Sequence, residues 1–215
     1  MKKNFLFICL AFVLSGSYAQ YRWEVSGGAT FSKLNLDNVD TNRGIGFYFN
    51  AGYGYMLDDR AKTSIIFSLE ALQRRSTFAD TASENIEING EPFTVRYNEG
   101  DEIKAFQIGF SPKFRVITGQ NTDNFRAFFQ VGPSFRVNTK VENGDKKLST
   151  QDYEQIVLGG VYGAGFSIAT GEMFDFMIDV GVMNDFIDNL TDQNSKFFDI
   201  YARVGIRYRV YDARR

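Results

Sequence analysis

Phe125-Arg126-Ala127-Phe128-Phe129-Gln130-Val131-Gly132-Pro133-Ser134-Phe135-Arg136-Val137-Asn138 decides the fold. Phe125, Ala127, Phe129, Val131, Pro133, Phe135 and Val137 fall on one side of a two-residue repeat. Arg126, Phe128, Gln130, Gly132, Ser134, Arg136 and Asn138 fall on the other. A period of two is a β-strand with two chemically different faces. Repeated in an exported chain, it predicts a barrel with its apolar side in lipid and its polar side inward.

Eight such stretches are present, at about 21–31, 44–57, 63–78, 102–116, 125–138, 153–169, 174–184 and 197–210. Their apolar rows include Trp23, Val25, Ala29 and Phe31; Ile45 to Leu57 by twos; Ile65, Phe67, Leu69 and Ala71; and Phe106, Ile108, Phe110, Phe114 and Val116. Ile156, Leu158, Tyr162, Ala164, Phe166 and Ile168 continue the set. So do Phe174, Phe176, Ile178, Val180 and Val182, and Phe198 to Val210 by twos. The opposite rows are assigned Glu24, Glu70, Arg74, Lys104, Lys113, Arg115, Arg126, Arg136, Asp175, Asp179, Asp199, Arg203 and Arg207 among small residues and glycines. Small inward residues leave room in a narrow barrel for long charged ones. The links 32–43, 79–101, 139–152 and 185–196 read as long, and 58–62, 117–124 and 170–173 as short. The expected fold is all-β: an eight-stranded antiparallel transmembrane up-and-down β-barrel with long extracellular loops and short periplasmic turns.

The chain opens with an export signal. Lys2 and Lys3 precede an apolar run from Phe5 to Leu14, and Ser17-Tyr18-Ala19 forms a small-x-small site. This predicts a signal peptide over 1–19 and one barrel domain over 20–215. The apolar run is too short for a membrane helix of about 20 residues. Cys9 lies within that run rather than at the cleavage point, against a lipoprotein signal.

Composition narrows the chemistry. There is no His, and Cys9 is the one Cys. The mature chain then has no disulfide, no Cys or His zinc site, no thiol nucleophile and no Ser-His triad. No catalytic, cofactor-binding or metal-ligating residue is assigned, and an enzyme is not expected. Loss of Lys2 and Lys3 leaves 22 basic against 26 acidic residues, a net charge of −4. With no basic run, nucleic acid is excluded as a partner class.

A soluble lipocalin-like barrel would alternate in the same way with its apolar face inside, and a periplasmic β-sandwich would favour shorter strands. Heavily aromatic apolar rows, inward rows of both charge signs and alternating link lengths favour lipid outside. The aromatics Trp23, Tyr53, Tyr55, Tyr153 and Tyr208 read as interfacial girdles.

The chain resembles the small outer-membrane β-barrel proteins of the Bacteroidota called PorT-like, and more loosely the OmpX and OmpW types. The resemblance rests on the Ala19-Gln20 junction and on Trp23-Glu24-Val25-Ser26-Gly27-Gly28. It rests also on Gln107-Ile108-Gly109-Phe110-Ser111-Pro112-Lys113, Phe129-Gln130-Val131-Gly132-Pro133-Ser134 and Ile200-Tyr201-Ala202-Arg203-Val204-Gly205-Ile206-Arg207-Tyr208. It implies outer-membrane lipid and the barrel-assembly machinery as partners, with Tyr208, Val210 or Tyr211 as the terminal assembly signal. It further implies a role in protein secretion with other envelope proteins. The alternative under the same resemblance is an OmpW-like lateral path for a small hydrophobic solute.

Three constellations carry whatever chemistry the chain has. Inward Arg126, Arg136, Arg203 and Arg207 are expected to pair with Glu24, Glu70, Asp175, Asp179 and Asp199 as a structural ion-pair plug, since a buried charge needs a partner. The segments Asp37–Asn42 and Asp185–Asn194, with Asp188 and Asp192, are oxygen-rich but lack EF-hand spacing. Finally, Ile86 to Tyr97 reads as a hairpin about Asn89-Gly90, with Ile86, Ile88, Phe93, Val95 and Tyr97 as a possible partner-binding edge. Asn189-Leu190-Thr191 matches a glycosylation sequon, which carries no weight in a bacterial export context.

Overall fold

A computed structural model describes residues 21–210 except 38, 59–61, 89–90, 120–123, 145, 150–151, 172 and 192–193; the side chains of 21, 82, 84–96, 209 and 210 are likewise outside the description. Residues 1–20, which hold the expected export signal of 1–19, and residues 211–215, Tyr211 among them, lie outside it too.

The strands are β1 (Tyr21–Leu36), β2 (Thr41–Met56), β3 (Thr63–Phe78), β4 (Ala82–Ile88), β5 (Glu91–Tyr97), β6 (Glu102–Ile117), β7 (Phe125–Asn143), β8 (Lys146–Lys147), β9 (Ile156–Ala169), β10 (Phe174–Asp185) and β11 (Ser195–Val210). Eight of them form an antiparallel meander, β1-β2-β3-β6-β7-β9-β10-β11, closed by the β11–β1 pairing. Closure is what lipid demands, since an open sheet edge would leave backbone groups without partners. The short β8 folds back on the end of β7, and β4–β5 form a separate two-stranded ribbon.

The faces follow the period-two pattern. Trp23, Ile45, Leu69, Phe129, Ile156, Val180 and Ile206 stand exposed on the outer wall. Glu24, Glu70, Arg126, Arg136, Asp179 and Arg203 are buried inside. A soluble barrel with an apolar interior is therefore excluded. The outward row of β2 runs apolar from Ile45 to Leu57. At ~3.3 Å per residue and a tilt near 40°, that row covers roughly the height of an outer-membrane apolar band.

Two irregularities shape the wall. The β2–β3 register shifts between Arg43 and Tyr48. There the Gln73 carbonyl turns toward Gly46, where a Cβ would stand 1.8 Å from it, and the Thr30 hydroxyl donates to that carbonyl at 2.9 Å. A second shift in β6–β7 follows Phe106, whose carbonyl accepts from the Thr139 hydroxyl at 2.9 Å. The same seam holds Pro112 and Pro133. The pairs Phe110↔Phe135 and Phe114↔Val131 flank them, so the two prolines fall opposite one another. Proline has no N–H for a ladder. Facing one against the other confines that loss to a single rung.

The link lengths differ from expectation. The 32–43 segment is mostly strand, because β1 reaches Leu36 and β2 begins at Thr41; β7 likewise runs to Asn143. That leaves 37–40 shorter than the 57–62 turn, so long and short links do not alternate strictly. The strands continue past the apolar band because their inward residues at this end are themselves apolar and find a core. Leu34, Val39, Phe78, Tyr97, Ile103, Ala105, Val141, Tyr153, Leu190 and Phe197 form one buried cluster there. Tyr153 belongs to this cap, bridged to Leu190, and not to a girdle, because it precedes the start of β9. Trp23 and Tyr53 do form an outer aromatic contact at 4.7 Å near the turn end. In the turn below β2, Asp58 Oδ1 accepts from Thr63 N at 2.7 Å and Thr63 Oγ1 at 3.0 Å. Slight burial raises its pKa, but these hydrogen bonds outweigh that and hold the carboxyl below the usual range.

The chain from Gln20, refolded in detergent, is expected to migrate faster unboiled than boiled, with β-type circular dichroism only in detergent. A folded protein in plain buffer would contradict the outward apolar wall.

Candidate functional site

The interior is filled by charged side chains arranged in three storeys. At the turn end, Arg115 donates from both Nη atoms to Glu24, at 2.6 and 2.9 Å, and from Nε and Nη2 to Gln130 Oε1, at 3.2 and 2.7 Å. Arg126 donates to Asp175 at 2.8 Å. Arg207 lies between the two acids, 3.6 Å from Glu24 and 3.7 Å from Asp175. The Phe128 ring, inward by parity, takes Arg115 on its face at 4.6 Å.

In the middle storey, Glu70 accepts from Tyr48 Oη at 2.6 Å, Lys113 Nζ at 2.9 Å and Ser111 Oγ at 2.9 Å. Arg203 makes a two-pronged contact with Asp179, at 2.8 and 2.7 Å. Its guanidinium also lies over Tyr48 at 5.0 Å and Tyr201 at 5.2 Å. Leu72, Val161 and Met183 pack against the two tyrosines. A Cβ at Gly163 or Gly181 would stand 2.3 or 2.5 Å from the Tyr201 hydroxyl. The two glycines are register partners, and their lack of side chains lets Tyr201 lie flush with the wall.

In the upper storey, Asp185 accepts from Arg74 Nη1 at 2.6 Å and Arg136 Nη1 at 2.9 Å. Arg74 Nη2 also meets Asp199 at 2.6 Å. Asn189 Nδ2 donates to Asp185 at 2.7 Å. Above this storey the cap cluster closes the barrel.

All nine residues assigned from sequence to the lumen (Glu24, Glu70, Arg126, Arg136, Asp175, Asp179, Asp199, Arg203 and Arg207) lie in these storeys. Some partners differ. Glu70 takes Lys113 and Tyr48, and Asp199 takes Arg74. Arg136 takes Asp185, which the sequence places in an oxygen-rich loop; it is the last residue of β10 and fully inward. Tyr48, Gln130 and Tyr201 were not singled out, although their parity places them inward. Lys104 is a correction. It shares parity with Phe106 and stands on the outer wall, half-exposed, 3.1 Å from Glu102.

Of the partner-binding residues, Ile86, Ile88, Phe93 and Val95 lie outside the described side chains. Tyr97 is buried against Phe78 at 4.6 Å, because it sits at the base of the ribbon where the cap begins. In the oxygen-rich loops, Asp37 accepts from Asn194 Nδ2 and Asp188 from Ser195 N. Among the described residues no three acidic groups converge on a point. Asn189 of the sequon is buried.

A sequence profile described as outer membrane protein beta-barrel domain matches residues 5–207. The chain belongs to that family. In such barrels the end with the short turns, here 118–124 and 170–173, faces the periplasm, and the end with the longest connections, here the one with the cap and the β4–β5 ribbon, faces the exterior. Among solved structures it is similar to Neisserial surface protein A, at 16% identity, covering 86% of this chain and 96% of that one with a TM-score of 0.49. It is also similar to OprG from Pseudomonas aeruginosa, at 14% identity, 91% and 98% coverage and a TM-score of 0.49. Ail of Yersinia pestis, in complex with the heparin analogue sucrose octasulfate, matches at 16% identity, 89% and 99% coverage and a TM-score of 0.43. No curated protein matches the chain.

Removing one member of a buried ion pair leaves an uncompensated charge and costs about 3–5 kcal/mol. Asp185→Leu leaves Arg136 without its carboxylate. The variant is expected to lose stability on that scale in urea titrations of vesicle-embedded protein. Lys140→Ala, which removes an exposed, solvent-screened pair with Glu142, is expected to leave the urea midpoint essentially unchanged.

Proposed function

We propose that this outer-membrane barrel is a non-enzymatic envelope protein that works by contact through its exterior end, with the β4–β5 ribbon as the contact element. The observation that carries this reading is the ribbon itself. β4 and β5 pair only with each other, from Ala82↔Tyr97 to Ile88↔Glu91, in a sheet separate from the barrel. Each strand keeps one backbone edge turned away from its partner, the geometry used in strand addition. The ribbon's base is anchored by Tyr97, which is buried in the cap against Phe78. The filled lumen supports the same reading, since solute flow would require the ionic storeys and the cap to open together. Resemblance to PorT-like proteins makes a secretion partner the candidate class, on a barrel delivered by a cleaved signal over 1–19 and the barrel-assembly machinery.

The second reading is lateral passage of a small hydrophobic solute. It draws on an open groove of about 560 Å³ on the outer wall, bordered by Phe114, Phe129, Tyr162 and Val180. Against it, Gln130 and Tyr201 back the groove at Gly163 and Gly181.

Replacement of residues 84–95 by a short Gly-Ser linker, which keeps Tyr97 in the cap, is expected to leave the heat-dependent gel shift intact, and photo-crosslinkers placed at positions 84–88 of the intact chain are expected to capture specific envelope proteins in cells. Failure to assemble would make the ribbon part of the fold. In planar bilayers the intact protein is expected to show no stable porin-sized conductance; a reproducible one would overturn the contact reading.

A further inference from the structure

The outward rows change character at the exterior end. Past Phe31 of β1 comes Lys33. Before Ile45 of β2 stands Arg43, and before Phe106 of β6 stands Lys104. β11 carries Lys196 before Phe198, and β7 carries Lys140 after Val137, across the bulge at Thr139. On β3, Gln73 separates Ala71 from Arg75. Six of the eight barrel strands thus place a base on the outer wall where the apolar band ends.

Register puts these bases side by side. Arg75 pairs with Lys104, and Phe106 pairs with Lys140, one outward step below Lys104. Lys33 pairs with Phe198, next to Lys196. Arg43 lies one step past the pair Ser32↔Gly44 and reaches β1, donating to the Phe31 carbonyl at 3.1 Å while its guanidinium covers Phe198 at 5.4 Å. The result is a continuous basic arc over β11, β1, β2, β3, β6 and β7. Glu102 and Glu142 lie within the arc, against Arg75, Lys104 and Lys140. Among the described residues, Lys33, Arg43 and Lys196 have no carboxylate in ion-pair reach.

Two contrasts show that the arc is not general surface basicity. At the periplasmic end the outward rows finish on aromatic and hydroxyl residues such as Trp23, Phe125, Phe174 and Tyr208, and Lys62 is the one base in the described turns. Above the arc the exterior connections are acidic, with Asp37, Asp40, Asp80, Glu99, Asp101 and Asp152. The short β8 adds Lys146 and Lys147 beside the arc, Lys147 opposite Glu142; among the described residues the outward bases of this end thus gather about the level at which head groups of the outer leaflet begin.

We infer that this arc is a docking surface for phosphate-bearing glycolipid head groups of the outer leaflet. A lipid whose acyl chains lie on the apolar wall places its phosphates at the level of the arc, where Lys and Arg stems run along the wall and their heads meet the phosphates. The acidic connections above disfavour a soluble polyanion approaching from outside, so the lipid is the occupant the charge distribution selects. β9, which Glu154 precedes, and β10, which Phe186 follows, form the side of the barrel without such lipids.

The test places the mature protein in phosphatidylcholine vesicles containing either lipid A, a bisphosphorylated glycolipid, or the same glycolipid with its phosphates removed. The readout is the temperature at which the fast-migrating folded band is lost on gels. The phosphorylated form is expected to raise that temperature by several degrees over the dephosphorylated one, and 1 M salt to shrink the difference. A variant with all six bases replaced by Gln is expected to lose most of the difference, whereas Lys62→Gln, in the turn at the opposite end of the barrel, retains it. Should the six-fold variant fail to assemble, Lys33→Gln with Lys196→Gln gives the same comparison. Equal responses to the two glycolipids, or a six-fold or paired variant that responds like the parent, would overturn the assignment. So would an equal stabilisation by soluble sulfated polysaccharide in plain phosphatidylcholine, which would make the arc a polymer site.

Discussion

Every charge that the period-two pattern turns inward must meet its opposite inside a barrel too narrow to hold bulk water. The rest of the molecule depends on this constraint. A carboxylate or guanidinium stranded in that interior costs several kcal/mol. Glu24, Glu70, Asp175, Asp179, Asp185 and Asp199 are therefore each matched with Arg or Lys, some from the neighbouring strand, as Asp179 with Arg203, and others from across the barrel, as Arg74 with Asp185 across 111 positions of sequence. These contacts span the lumen and fix one arrangement of strands around it. The backbone ladder alone would tolerate slippage, but a one-residue slip would turn the charges into lipid.

Above the ionic storeys the same inward rows become apolar, and this explains the lengths of the strands. Leu34, Phe78, Ile103 and Phe197 continue the inward parity of their strands beyond the membrane, Val141 turns inward after the bulge at Thr139, and they join one buried cluster. The barrel is thus two interiors in series, an ionic one within the bilayer and an apolar one outside it. Each is the inverse of its surroundings: charge inside lipid, hydrocarbon inside water.

Parity made the wall and the lumen legible in the sequence. It placed all nine assigned lumen residues, because alternation survives without knowledge of strand partners. It did not give the partners. Which acid meets which base depends on register, and the shifts after Arg43 and Phe106 are invisible in composition. Asp185 shows the limit at a strand end: it lies beside a run of Asp and Asn that reads as loop, and only the extent of β10 makes it the centre of the upper storey. Lys104 shows the converse, for its parity with Phe106 was legible and its charge alone suggested the lumen. Tyr97 and Tyr153 were misplaced because the apolar cap has no local signature; its members are drawn from distant strands and loops.

The misreading of Lys104 has a physical lesson about charge on this fold. Inside the barrel a base is held by an acid at contact distance, as Arg203 is by Asp179. On the outer wall a base has no such confinement and needs none if it stands at the edge of the bilayer, where its stem contacts hydrocarbon and its head remains wet. The same residue type therefore serves two roles, separated by parity and height alone. An outward base moved toward the bilayer midplane would sit in hydrocarbon at a cost that rises to about 2–4 kcal/mol. The height at which Lys33, Arg43, Arg75, Lys104, Lys140 and Lys196 occur is the one at which an outward base has cleared the hydrocarbon while its stem still lies on the apolar wall.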